Sequence, residues 1–218
     1  MIWRWAIRVG LLIPVAALAA LAIPRLNTGL LLEEAFPATT YIETNTPLPA
    51  ASYQQVARVL SGASHSDSET ALVQAEAAIN AGAVPATIIP KVELALGQSP
   101  FLARGWIILA SLWTDADRPK AVKAFALAVD LAPREYYLML PQMLVGAPLW
   151  GDLSAGVRAR LLSDVDGLAV DQDRRGQLRL LLTRQAGTDL MVRGFSGHPE
   201  ALRGLNRDLA RERLGLSF

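Results

Sequence analysis

Between Arg8 and Arg25 the chain reads Val-Gly-Leu-Leu-Ile-Pro-Val-Ala-Ala-Leu-Ala-Ala-Leu-Ala-Ile-Pro, with no charge and no strongly polar side chain. Such a run belongs in a bilayer or in the translocon that feeds one, because its side chains gain nothing from water. At about 1.5 Å per residue it reaches roughly 24 Å as a helix, short of the ~30 Å hydrocarbon core. Its neighbours make up the difference: Ile2, Trp3, Trp5, Ala6 and Ile7 extend the apolar surface, Arg4 and Arg8 snorkel to headgroups, and the tryptophans suit the interface. Pro14 is tolerable inside a membrane helix. The expectation is a single membrane-spanning helix within residues 1–35 that meets lipid through residues 2–24. Arg4, Arg8 and the terminal amine precede the span, whereas Arg25 is soon balanced by Glu33 and Glu34, so the N-terminus is expected to be cytoplasmic. Ala17-Leu18-Ala19 and Ala20-Leu21-Ala22 both satisfy the small-x-small rule, so a cleaved secretory signal is the competing reading. Both readings put the downstream residues on the same side of the membrane.

Composition agrees with a lipid-directed segment: hydrophobic residues make up 52% of the 218 and charged residues only 19%. That length leaves room for one domain of ordinary size after the segment. The 21 basic and 20 acidic residues are dispersed, which leaves no electrostatic footprint for nucleic acid. Absence of cysteine excludes disulfides, thiol nucleophiles and cysteine metal sites. Leu26, Leu30, Leu31 and Leu32 carry the helix out of the membrane until Pro37 stops it. Residues 36–49, rich in threonine and proline, read as an extended linker, and the folded domain is expected over residues 50–218.

From Ala50 onward, helix formers dominate, β-branched runs are scarce, and the punctuation is Gly, Pro and Asp-containing turns. The expected helices run from Ala51 to Leu60, Ser68 to Ala81, Pro85 to Leu96, Pro100 to Thr114, Pro119 to Leu131, Glu135 to Val145, Leu153 to Asp164, Asp171 to Gln185 and Pro199 to Leu214. Ser68 is the expected cap of the second, and Pro100 and Pro119 fall where a first helical turn accepts proline. Short helices joined by short turns imply antiparallel packing, so the expected fold is all-α.

One stretch is more specific. Trp106, Leu109, Ala110 and Trp113 are followed by Ala121, Phe125, Ala128 and Pro133. The alanines let two helix backbones approach, and the aromatics fill the surrounding gaps. This pattern resembles the tetratricopeptide repeat, although the turn around Thr114 to Arg118 is one residue shorter than that family's spacing. A fainter copy precedes it, with Leu94, Ala95 and Pro100 each 33 residues before Leu127, Ala128 and Pro133. The resemblance implies a stack of antiparallel helical hairpins that binds other proteins, with Arg104, Ile107, Ser111 and Thr114 of the first helix facing the groove. Flanking helices act as degenerate repeats or caps, since a lone repeat cannot bury its own faces.

Residues with catalytic potential are sparse. His65 lies in the polar turn Ser64 to Ser68, and His198 directly precedes Pro199; both read as loop or cap residues. His65, Asp67 and Glu69 lack a second ligand group with zinc-site spacing, and Asp164, Asp166, Asp171 and Asp173 lack the calcium-loop spacing with its closing Glu. No nucleophile elbow, phosphate loop or dinucleotide fingerprint occurs. Catalytic residues, metal and cofactor are therefore not expected. The C-terminal third pairs Arg174, Arg175, Arg179, Arg184, Arg203, Arg207, Arg211 and Arg213 with leucines at helical spacing; Leu202, Leu205 and Leu209 read as a core stripe.

Anchor and resemblance together imply a protein-binding scaffold or accessory subunit of a cell-envelope assembly, held in the bacterial inner membrane with its helical domain in the periplasm. Its expected partners are lipid and other proteins, not nucleic acid. The alternative is an envelope enzyme such as a helical glycan hydrolase, with Glu76 or Glu93 as the acid. N-terminal sequencing of chain extracted from membranes separates the anchor from the cleaved signal. The anchor reading expects the apolar run to be retained, and a start after Ala19 or Ala22 overturns it.

Overall fold

A computed structural model describes residues 48–61, 67–133, 135–170, 178, 180–182 and 185–197, together with 20, 22–23, 25–27, 30–31, 200, 203–204 and 206–207. Among the described residues every regular element is helical, so the fold is all-α. No helix of the described residues is long and apolar enough to cross a membrane. Most of the expected anchor lies outside them, as do most of the linker, His65, His198, Asp171, Asp173, Leu202, Leu205, Leu209, Arg174, Arg175, Arg179, Arg184, Arg211 and Arg213. The chain divides into two compact units, residues 1–98 and 99–218.

The first unit contains α1 (Ala50–Ser61), α2 (Ser68–Asn80) and α3 (Pro85–Gln98), with α1 packed on α2 and α2 on α3. Val56 and Leu60 of α1 meet Val73 and Ala77 of α2, and Leu48, Tyr53, Ala57 and Val59 close around them. The Tyr53 hydroxyl accepts from the Leu48 amide at 3.1 Å, which ties the incoming chain to α1. Asp67, not Ser68, caps α2: its Oδ1 accepts from the Thr70 amide at 2.8 Å, while Ser68 is buried as the first helical residue. At the other end, the Ala83 amide donates to Ala78 and the Gly82 amide to Ile79, both at 2.9 Å, with Gly82 at φ +86°. This is a Schellman stop, which places its third-from-last carbonyl under a residue in the left-handed region that glycine adopts without strain. Pro85 then opens α3, where its missing amide costs nothing.

The second unit contains α4 (Ala103–Trp113), α5 (Arg118–Leu131), α6 (Tyr136–Leu149), a 3₁₀ turn (Trp150–Asp152), α7 (Ala155–Val170), α8 (Gln185–Gly194) and a second 3₁₀ turn (Phe195–Gly197). α4 and α5 form its most extensive interface. Leu109, Ala110, Ala121, Phe125 and Ala128 are all fully buried there, so the alanines bring the backbones together and Phe125 fills the space between. Asp117 caps α5 through the Lys120 amide at 3.2 Å, with Pro119 in the first turn. α6 packs on α4, α5, α7 and α8. Its sequence YYLMLPQMLVGAPL is apolar on nearly every side, as suits a helix with four helical neighbours. The buried amide of Gln142 in α6 donates to the Ala132 carbonyl at 3.4 Å, giving a partner to the end of α5. At Gly146 an added Cβ would stand 2.6 Å from Phe125 Cζ and 2.7 Å from Leu161 Cδ1, so α5, α6 and α7 converge where a side chain is missing.

Helix positions recur. α3 and α5 begin at 85 and 118 and end at 98 and 131, α2 and α4 end at 80 and 113, and α4 and α6 begin at 103 and 136, each interval being 33 residues. Burial recurs with them: Ala77 and Ala110, Ile88 and Ala121, Val92 and Phe125, and Ala95 and Ala128 are buried pairs, while Leu94 and Leu127 are both exposed. The recurrence stops after α6, since α7 starts at Ala155.

Several boundaries differ from expectation. α4 begins at Ala103, not Pro100, after Leu102 in an extended conformation, and the Pro100 carbonyl accepts from the Trp106 indole at 2.8 Å. α6 continues past Val145 through Gly146 and Pro148, and α7 continues past Asp164 to Val170, since tertiary packing outweighs local breaker signals. Within the expected helix from Asp171 to Gln185, the described residues Leu178, Leu180, Leu181 and Leu182 are 3₁₀, and the α-helix runs over Gln185–Gly194.

Two glycine substitutions test these packing arguments by urea unfolding of the full chain. Gly82→Ala meets no neighbour within 4 Å, so it is expected to cost only backbone strain, about 1–2 kcal/mol. Gly146→Ala is expected to cost about 1–3 kcal/mol through overpacking, partly recovered by adding Phe125→Leu. No recovery in the double variant would mean that the Phe125 contact does not set the size of that site.

Candidate functional site

The α4–α5 hairpin carries the positions that the repeat resemblance assigned to a groove, and α6 changes their status. Ile107 is 5% exposed and belongs to a core cluster with Ala103, Ala128, Ala132 and Leu138, bordered by Trp106, Leu131 and Val145. Leu138 and Val145 come from α6, so that helix covers the face which a hairpin by itself would leave open. Thr114 is half-buried and its hydroxyl donates to the Ala110 carbonyl at 2.8 Å. Arg104 is half-buried, and Ser111 is the exposed member of the set. Ile107 is thus a packing residue, and the four do not line one open strip.

The packing positions are better placed. Leu109, Ala110, Ala121, Phe125 and Ala128 are core, Trp106 and Trp113 are half-buried at its margin, and Pro133 is exposed in the turn after α5. The short α4–α5 turn is drawn in by charge. Lys120 Nζ lies 3.0 Å from Asp117 Oδ2 and 5.7 Å from the centre of the Trp113 ring. The Lys120 side chain, and then its amide, hold the Asp117 carboxyl below its ordinary value of 3.8.

The two acids named for the hydrolase alternative lie on different helices. Glu93 is exposed on α3 and Glu76 half-buried on α2. The buried carboxylate among the described residues is Asp164, paired with Arg160 at 3.3 Å along α7. Among the described residues no group of three or more His, Asp or Glu is placed to hold a metal ion.

A different cluster forms around the 3₁₀ turn that follows α6. Arg118, first residue of α5, donates through Nη2 to the Pro148 carbonyl at 2.7 Å and pairs through Nε with Asp152. The Arg158 guanidinium stands 6.0 Å from the centre of the Trp150 ring, and that of Arg193 stands 5.7 Å from the same centre. Ser154 sets Arg158 in place by opening α7, its hydroxyl accepting from the Val157 amide at 3.3 Å and its carbonyl from the Arg158 amide at 3.0 Å. Arg193 comes from the last turn of α8, where Gly194 lets the helix lie 2.6 Å, measured from an added Cβ, from Val165 Cβ of α7. Three helices therefore deliver arginines to the five residues Pro148 to Asp152.

Sequence reasoning missed this cluster because its members are scattered over more than seventy residues. The local signal was Trp150 itself, a lone indole between Pro148 and Gly151 where an apolar helix ends. Comparison with protein-family models, with curated proteins and with solved structures returns no match.

The depressed Asp117 carboxyl gives a pH prediction with a defined sign. Its stabilising contribution is complete above the ordinary carboxylate range and is lost as pH falls through the lower folded-state value. Asp117→Asn retains a cap acceptor but cannot ionise. Its stability deficit in urea is expected to be largest at neutral pH and to shrink toward about pH 2. A deficit constant over that range would overturn the assignment.

Proposed function

We propose that this chain is a membrane-anchored, tetratricopeptide-like scaffold that holds other proteins of a cell-envelope assembly on the periplasmic face of the bacterial inner membrane. The observation that carries this reading is the 33-residue recurrence of helix boundaries and buried positions from α2 to α6. It is close to the ~34-residue period of tetratricopeptide repeats and links the first hairpin, where the sequence pattern is faint, with the second, where it is clear. Helical repeats of this kind stack through their neighbours and bind partners on the surfaces left over, which needs no catalytic constellation.

The anchor reading draws on the uncharged run from Val9 to Pro24. Its support among the described residues is the helical conformation of residues 20, 22–23, 25–27 and 30–31, where Ile23, Leu26 and Leu30 are 64%, 65% and 57% exposed. Large aliphatic side chains left that open suit lipid better than water.

The test is fractionation and gentle detergent extraction of a tagged full-length chain. The scaffold reading expects the chain in the membrane fraction, resistant to alkaline wash, and a discrete set of envelope proteins retained with it. Recovery of the chain alone, together with cleavage of a cell-wall glycan by the purified protein, would replace the scaffold with the hydrolase. A chain released by the alkaline wash would remove the anchor.

A further inference from the structure

Arg118, Arg158 and Arg193 meet at one turn, yet their situations differ. Arg118 pairs with Asp152 and donates to the Pro148 carbonyl. Arg158 and Arg193 have no ion pair among the described residues, and each guanidinium lies within cation–π range of the Trp150 indole. A guanidinium over an aromatic ring uses its flat face and keeps its in-plane N–H donors, which are arranged as a fork that fits a carboxylate. Sharing one ring keeps the two forks no farther apart than their two distances to its centre combined.

Local stability does not explain this placement. Arg158 stands in the first turn of α7, where the positive end of the helix macrodipole disfavours a cation. The Trp150 ring returns only about 0.5–1 kcal/mol per exposed cation. Tryptophan and arginine are moreover the residues that most often dominate the energetics of protein interfaces.

We propose that Trp150, Arg158 and Arg193 form a docking point for a carboxylate-rich segment of a partner protein, an inference that rests on the protein-binding reading above. Asp152 decides between a peptide and an anionic membrane. Its side chain is 49% exposed on the same turn, so a flat anionic surface laid over the arginines meets a carboxylate as well. A flexible peptide delivers its acids to Arg158 and Arg193 singly and leaves Asp152 to Arg118.

The experiment titrates the full-length chain in neutral detergent with a fluorescent peptide of alternating Glu and Gly, and with the same peptide carrying Gln for Glu. Binding of the acidic peptide is expected to exceed that of the neutral one at least tenfold and to weaken steeply with salt. Arg158→Gln with Arg193→Gln is expected to lower its affinity tenfold or more, whereas Arg58→Gln, an exposed change in the first unit, leaves it unchanged. Should the double glutamine variant fail to fold, Arg158→Lys with Arg193→Lys keeps both charges but loses the forks, and a several-fold weakening is expected. Equal binding of the two peptides, or native affinity in the folded glutamine variant or in the lysine variant, overturns the proposal. So does stronger binding to phosphatidylglycerol vesicles than to the peptide, or displacement of the peptide by inorganic phosphate at equal concentration. Failure of the acidic peptide while envelope proteins still co-purify removes this docking point alone, and the converse removes the scaffold reading while supporting the docking point.

Discussion

The C-terminal unit depends on how closely α4 and α5 can approach. Ala110 on one helix and Ala121 and Ala128 on the other put nothing larger than a methyl group between the backbones, and Phe125 occupies the volume that remains. Filling it with a ring has a consequence for α6, because the ring reaches far enough to demand Gly146 there. Leu161 of α7 converges on the same glycine. Small against small, then large against absent, is one continuous steric requirement running through four helices, and close packing makes each member sensitive to the others.

Much of the hairpin was legible in the sequence because its constraint is local. Trp106 through Pro133 sit within thirty residues, and helix crossing restricts their types at fixed spacing. The same locality exposed the 33-residue echo at Leu94, Ala95 and Pro100, although the buried partner Ala77 became visible only with α2 in place. Capping misled by one residue: Asp67 and Ser68 are both good caps, and which side chain reaches the Thr70 amide depends on backbone angles that composition does not encode. Breakers misled further on. Gly146 and Pro148 look like a helix end, yet Gly146 is a packing choice and α6 runs on through Pro148 to Leu149.

Interaction residues were less legible, for a reason of dimension. Ile107 sits on a stripe that is open in an isolated hairpin, and only the third helix decides whether it stays open. Arg118, Trp150, Arg158 and Arg193 illustrate the same point from the other side, since nothing in their spacing relates them until α5, α7 and α8 end near one turn. Among the described residues, Ile107 of the expected groove is taken up by packing, while Arg118, Arg158 and Arg193 stand near helix ends.

α6 also imposes an order of events on a growing chain. Its residues leave the ribosome before those of α7 and α8, so for the interval in which the remaining chain is made this apolar helix has only α4 and α5 to shelter against. The hairpin formed first is therefore a temporary refuge as well as a permanent neighbour. A chain interrupted before α8 would present that uncovered stretch to chaperones and proteases.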